Sequence, residues 1–146
     1  MTENKDEKYM KAALAEAQKA FDRQEVPVGA VVVCNDTIIA RAHNLTETLK
    51  DPTAHAEMQA ITAATSWLGG KYLNGCTIYI TLEPCAMCAS ALGWSQVSGL
   101  VYGADDEQKG YTLVKGQLLH PKTKVTKAIL TAECSEILVR FFRKKR

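Results

Sequence analysis

No stretch of this sequence approaches the roughly 18 consecutive apolar residues of a membrane span, so the chain is not expected to cross a bilayer. Its opening, MTENKDEKYM, lacks both the basic region and the apolar core of a secretory signal, which points to a cytoplasmic protein. Cysteine is scarce and odd in number: Cys34, Cys76, Cys85, Cys88 and Cys134. An odd set in a chain without a signal argues against a disulfide framework and for reduced thiols, some of which can bind metal. Three of them, Cys34, Cys76 and Cys134, stand singly in apolar or mixed segments and read as small buried hydrophobes. No internal repeat, linker or low-complexity tract interrupts residues 1–146, a length that suits one domain with one core.

What is present is ordinary in bulk and uneven in distribution. Hydrophobic residues at 47% and charged residues at 23% are those of a soluble globular chain. The net charge of +2 hides an asymmetry. Residues 1–108 carry 8 Lys and Arg against 14 Asp and Glu, whereas residues 109–146 carry 10 against 2. A basic end of this kind points to a polyanionic partner, or else to a solvated helix end whose cations suit the dipole.

Periodicity sorts the chain into elements. In EKYMKAALAEAQKAF the apolar Met10, Ala13, Leu14, Ala17 and Phe21 mark one face of a helix. VGAVVVCNDTIIARAHN reads as a hairpin turning at Asn35-Asp36, and DPTAHAEMQAITAATSWLGG as a helix headed by Pro52 and Thr53 and ended by glycines. CTIYITLEP is a strand broken at Pro84, CAMCASALGWSQ a helix and GLVYGAD a buried strand. Residues 105–123 are polar, with room for a short helix, KVTKAIL is a last strand, and TAECSEILVRFFRKKR a final helix capped by Thr131. In that helix Ala132, Ile137, Leu138, Phe141 and Phe142 carry the apolar spacing. The order predicts an α/β fold, a three-layer α/β/α sandwich with a five-stranded mixed sheet and helices on both faces.

The chemistry concentrates in two helix starts, His55-Ala56-Glu57 and Pro84-Cys85-Ala86-Met87-Cys88. A C-x-x-C pair alone can be a redox couple, half of a structural zinc knot or two ligands of a catalytic metal. Sulfur and nitrogen donors suit tetrahedral zinc, and two cysteines three apart in a first helical turn can converge on one ion. A structural site would close its shell with a fourth ligand. His43, His120 and the lone cysteines form no second paired knuckle for one. An open shell lets zinc lower the pKa of water from 15.7 to about 7, with Glu57 two residues from His55 to take the proton. The redox reading leaves the H-x-E helix start without a purpose.

H-x-E followed by P-C-x-x-C is a nucleobase-deaminase signature. The sequence resembles the bacterial tRNA-specific adenosine deaminases over nearly its whole length, within the cytidine deaminase-like superfamily. The resemblance is carried by EVPVGAVVV, DPTAHAEMQAI, TLEPCAMCASAL, VYGADD, HPKTKV and FFRKKR. It implies one zinc per subunit held by His55, Cys85 and Cys88, with Glu57 as the catalytic proton shuttle. Water would add at carbon 6 of a flipped-out adenine and ammonia would leave, giving inosine at the wobble position of a tRNA anticodon stem-loop. It further implies a homodimer, and substrate contacts from Asn44, Val28, Ala54, Asp106, Phe142 and Arg143. Read without the resemblance, Asn44 is a turn residue, Asp106 a solvated loop acid, and Val28, Ala54 and one of the two phenylalanines are core. The zinc motif alone also fits a deaminase of a small nucleobase or nucleoside such as guanine, cytosine or cytidine. A zinc-stabilised RNA-binding module would have no use for Glu57. The chain departs from the family pattern at Trp94-Ser95-Gln96 and across Asp105–Tyr111, on surfaces expected to meet RNA or the second subunit.

Overall fold

The computed structural model describes residues 4–145. The first helix, α1 (Lys5–Asp22), begins where the Asn4 side chain accepts the Glu7 backbone N–H at 2.8 Å, satisfying a donor that a helix start leaves orphaned. Its buried stripe is Tyr9, Met10, Ala13, Ala17 and Ala20, with Leu14 and Phe21 at the half-buried margin. The expected hairpin follows as β1 (Gly29–Cys34) and β2 (Thr37–His43). Asn35 and Asp36 both take positive φ, 51° and 59°, the conformation that a two-residue turn needs to match strand twist.

A one-turn helix, α2 (Thr46–Leu49), and α3 (Ala56–Leu68) lead into β3 (Cys76–Leu82). Then come α4 (Ala86–Ser95), β4 (Gly99–Ala104), a tight turn at Tyr111–Leu113, β5 (Lys124–Thr126) and α5 (Thr131–Lys144). The sheet order is β2-β1-β3-β4-β5, with β1 antiparallel to both β2 and β3, and β3, β4 and β5 mutually parallel. Ala30, Val32, Ile78, Ile80, Leu100 and Tyr102 face α3 and α4. Val31, Val33, Tyr79 and Val101 face α1 and α5. Strands buried on both sides read as continuous apolar runs, which is why GAVVVC and GLVYGA show little alternation. The result is a three-layer α/β/α sandwich.

The structure corrects several element readings. Pro52 and Thr53 do not head α3. They lie in a turn built on the Asp51 side chain, which accepts the Thr53 N–H and hydroxyl, and the helix starts after His55. The last strand stops at Thr126, because Ala128 and Leu130 adopt positive φ (64° and 56°) and end extended pairing. Leu130, not Thr131, stands at the cap of α5; the Thr131 hydroxyl instead donates to the Gly103 carbonyl at 2.9 Å, tying α5 to β4. Ala132 is exposed, and Cys134 occupies the buried position on that turn.

Gly29 marks the closest approach of α1 to the sheet. A Cβ there would run into the Ala13 carbonyl, the Ala17 nitrogen and Glu16 Cβ. Helix backbone cannot yield as a side-chain tip can. Gly29→Ala is therefore expected to cost about 2–3 kcal/mol, read as a lower urea midpoint with an unchanged slope.

Candidate metal centre and active site

Four chain segments meet at one end of the sheet. The start of β1 lies beside the end of β2, where the Asn44 N–H donates to the Val28 carbonyl at 3.1 Å. Because β1 opposes β3, the start of β1 also lies beside the end of β3, from which the turn into Cys85 departs. The loop after β4 completes the ring. Into this end point the N-termini of α3, opened by His55, and α4, opened by Cys85. Neither side chain serves as a hydrogen-bonding cap of its own helix. Their ring and thiol are directed at each other.

His55 Nδ1 lies 3.7 Å from Cys85 Sγ and 3.5 Å from Cys88 Sγ. All three donor atoms fall within 4.8 Å of one another, and no other group of three His, Cys, Asp or Glu among the described residues does so. Zn–S bonds of about 2.3 Å and Zn–N bonds of about 2.0 Å at tetrahedral angles require donor spacings of roughly 3.5–3.8 Å. The two nitrogen–sulfur spacings already match that requirement, and the donor chemistry is zinc's. These residues could hold the ion with little rearrangement.

The donors also share protons among themselves. Hydrogen bonds from Cys88 and His55 pull the Cys85 thiol down to about 4. Cys88 is pushed far up by its bond to Cys85 and by burial, and His55 is raised by its bond to Cys85. A cation seated among them replaces those protons. Glu57, in the first turn of α3, is 4% exposed, and burial lifts its carboxyl to about 7. His43 and His120 take no part. His43 Nδ1 meets Glu16 at 3.1 Å beneath α1, and His120 Nδ1 accepts the Lys122 N–H in a loop.

Beside the metal donors opens a cleft of about 640 Å³. One wall holds Val26, Val28, Asn44 and Thr46, the floor His55, Ala56 and Glu57, the other wall Asp105 to Lys109, and the rim Leu138 and Phe142 of α5. Of the expected substrate contacts, Val28, Asn44, Asp106 and Phe142 thus lie in the lining. Ala54 is buried behind it, its carbonyl accepting the Leu45 N–H at 2.9 Å. Arg143 lines a second groove with Leu138, Val139 and Phe142; Leu138 and Phe142 border both spaces. Phe141 points inward at 5% exposure, while Phe142 is 51% exposed, which divides the pair into core and surface.

Sequence reasoning missed Glu25 and the short helix it supports. Glu25 is fully buried and accepts the Glu47 N–H at 3.0 Å, the Thr48 N–H at 2.7 Å and the Thr48 hydroxyl at 2.6 Å. It holds α2, and with it the wall carrying Asn44 and Thr46. The signal was a buried acid inside EVPVGA, next to a segment with no helical period.

A family model of the cytidine and deoxycytidylate deaminase zinc-binding region matches residues 3–104. The chain belongs to that family. Zinc is accordingly the cofactor of this deaminase. Among its relatives, the tRNA-specific adenosine deaminase of Bacillus subtilis (strain 168) is 46% identical, covering 97% of this chain and 91% of its own length. A solved structure from a study of A-to-I editing by tRNA:A34 deaminases superposes with a TM-score of 0.84 at 39% identity, over 90% of this chain and 99% of that one. The guanine deaminase of Bacillus subtilis gives a TM-score of 0.66 at 37% identity, over 70% of this chain and 66% of that one.

Replacing Cys88 by serine removes one of the sulfur donors while the core on both sheet faces stays intact. Metal analysis of the purified deaminase is expected to fall from about one zinc per chain to a small fraction of that, with the far-ultraviolet circular dichroism unchanged.

Proposed function

We propose that this deaminase converts adenosine to inosine at the wobble position of a tRNA anticodon, with zinc held by His55, Cys85 and Cys88 and with Glu57 moving the proton. The observation that carries the substrate assignment is the extent of similarity. Identity to a tRNA-specific adenosine deaminase runs at 46% over 97% of the chain, whereas guanine deaminases are 37% identical over 70% of it or 23% identical over 92%. The runner-up, a deaminase of a small nucleobase or nucleoside on the same scaffold, uses the same metal centre.

Bound zinc supplies a Lewis acid that brings the pKa of water to about 7. The rest is the work of side chains. Glu57, buried at the cleft floor, accepts a proton from the water that adds to carbon 6 and delivers it to ring nitrogen 1. Glu57 then takes the proton of the new 6-hydroxyl and passes it to the exocyclic amine, so that the carbon–nitrogen bond breaks, the 6-carbonyl forms and neutral ammonia leaves. Val28 and Asn44 on one wall and Asp106 on the other flank the base and its sugar, with Ala54 backing the first wall. Phe142 at the rim and Arg143 in the adjoining groove receive the rest of the anticodon loop. No described helix is long and apolar enough to cross a membrane, which is compatible with cytoplasmic work on tRNA.

The protein acts as a homodimer of single-domain subunits in this reading. Support comes from bare apolar side chains: Trp94 near the end of α4 is 84% exposed and Trp67 near the end of α3 63%, with Leu113 and Val114 exposed in the loop after β4. The loop that follows α3 is tied to the last residue of α4 by the Leu73 N–H on the Ser95 carbonyl at 2.7 Å. Trp94→Glu is expected to halve the mass measured by light scattering; an unchanged mass would place the interface elsewhere.

The substrate is tested by offering an anticodon stem-loop, free adenosine, cytidine and guanine to the wild type and to Glu57→Ala, and following inosine and ammonia. Inosine from the stem-loop alone is expected, reduced roughly 10²- to 10⁴-fold in the variant at unchanged zinc content. Turnover of free bases or nucleosides only would overturn the tRNA assignment.

A further inference from the structure

Glu83 is 3% exposed, yet it is neither metal donor nor proton carrier. Its two oxygens take three hydrogen bonds, all from the loop after β4. Oε1 accepts the Asp106 N–H at 3.0 Å, and Oε2 accepts the Thr112 N–H at 3.1 Å and the Thr112 hydroxyl at 2.7 Å. Gly110 lies so close that any Cβ there would strike this carboxylate. The loop also pairs with the turn that bears Cys85: the Tyr111 N–H donates to the Pro84 carbonyl at 2.9 Å, setting Gly110 opposite Cys85 in an isolated β-bridge. The loop then closes on itself, the Asp106 carboxylate accepting the N–H groups of Gln108 and Lys109. Asp105 to Lys109 form one wall of the cleft.

From this we infer that Glu83 is a positioning residue for substrate binding: it fixes the 105–112 wall relative to the metal donors. The inference rests on the reading above that the cleft takes the reacting base. Backbone N–H groups turned inward must find an acceptor, and here one side chain serves both ends of the loop. An amide cannot replace it. Glutamine keeps one acceptor oxygen and puts an NH₂ where the other stood, so a donor faces either the Asp106 N–H or the Thr112 N–H. The wall then comes loose at one end. The zinc donors are not released: His55 and Cys85 are the N-cap residues of α3 and α4, Cys88 lies within α4, and none of the Glu83 bonds reaches any of the three.

The test uses full-length, zinc-loaded protein in three forms: wild type, Glu83→Gln and Thr112→Val, the last removing one hydroxyl donor without touching the backbone. Three quantities are read: zinc content, amide hydrogen exchange across 105–112, and kcat and KM on the anticodon stem-loop. In Glu83→Gln, zinc stays at the wild-type level, the Asp106 and Thr112 amides lose protection by about tenfold or more, and KM rises roughly 10- to 100-fold with kcat within about threefold. Thr112→Val moves exchange and KM the same way by less. Unchanged exchange or unchanged KM in both variants overturns the inference. Loss of zinc from Glu83→Gln also overturns it, by making Glu83 a support of the metal centre instead. If the wild type turns over only a free base such as guanine, the tRNA assignment fails on its own; exchange, and KM for that base, still decide the role of Glu83.

Discussion

The architecture of the site follows from one constraint, the parallel pairing of β3 with β4. A parallel pair needs a crossover, and here α4 is that crossover, so it must begin at the end of β3 and run back across the sheet. The crossing from β2 into β3 is made by α3, which must also run back before β3 can start. Both helices therefore point their N-termini at the same end of the sheet. The first turn of each is the natural place for metal donors, because a thiolate there gains from the helix dipole and its neighbours' free N–H groups. Reverse β3, and His55 and Cys85 would stand at opposite ends of the molecule.

That constraint explains why the chemistry was readable in the sequence while the walls were not. His55, Glu57, Cys85 and Cys88 fall within two windows of three or four residues, each at a strand-to-helix or loop-to-helix boundary that hydrophobic period and proline mark. The Asn35-Asp36 turn was legible for the same reason: the conformation it needs depends on the two residues themselves. By contrast, Glu25 meets Thr48 across 23 residues and Glu83 meets Thr112 across 29, through loops with no period to read. Nor could local pattern foresee that Ala128 and Leu130 would turn left-handed and cut the last strand to three residues. Such conformations are imposed by the need to return the chain onto α5.

The two cleft walls are held in one way. Each is a loop whose inward N–H groups are gathered by a buried carboxylate, Glu25 on one side and Glu83 on the other, with a threonine hydroxyl as the third donor. An apolar contact could fill the same volume but would leave those N–H groups unsatisfied, a cost of about 1–3 kcal/mol each. A carboxylate with several N–H donors offsets its own desolvation and also fixes direction, which dispersion does not. Glu25 and Glu83 therefore define wall positions to within hydrogen-bond tolerance.

The charge asymmetry takes on a spatial meaning in this frame. Asp105, Asp106 and Glu107 crowd one wall, an awkward surface for a polyanion, but part of that charge is already engaged. Asp105 meets Lys127 at 3.6 Å, and Asp106 accepts two backbone N–H groups. The cations of α5 and its C-cap are likewise divided. Arg140 and Lys144 lie over the Phe21 ring and Lys145 over Phe141, whereas Arg143 shares its groove with Phe142, at the margin of the cleft. Phosphates approaching the cleft are thus favoured along the α5 side and opposed on the acidic side, which orients a strand before its base enters. A free nucleobase carries no such handle. For a substrate without phosphates, the division of charge across the cleft would contribute nothing to orientation.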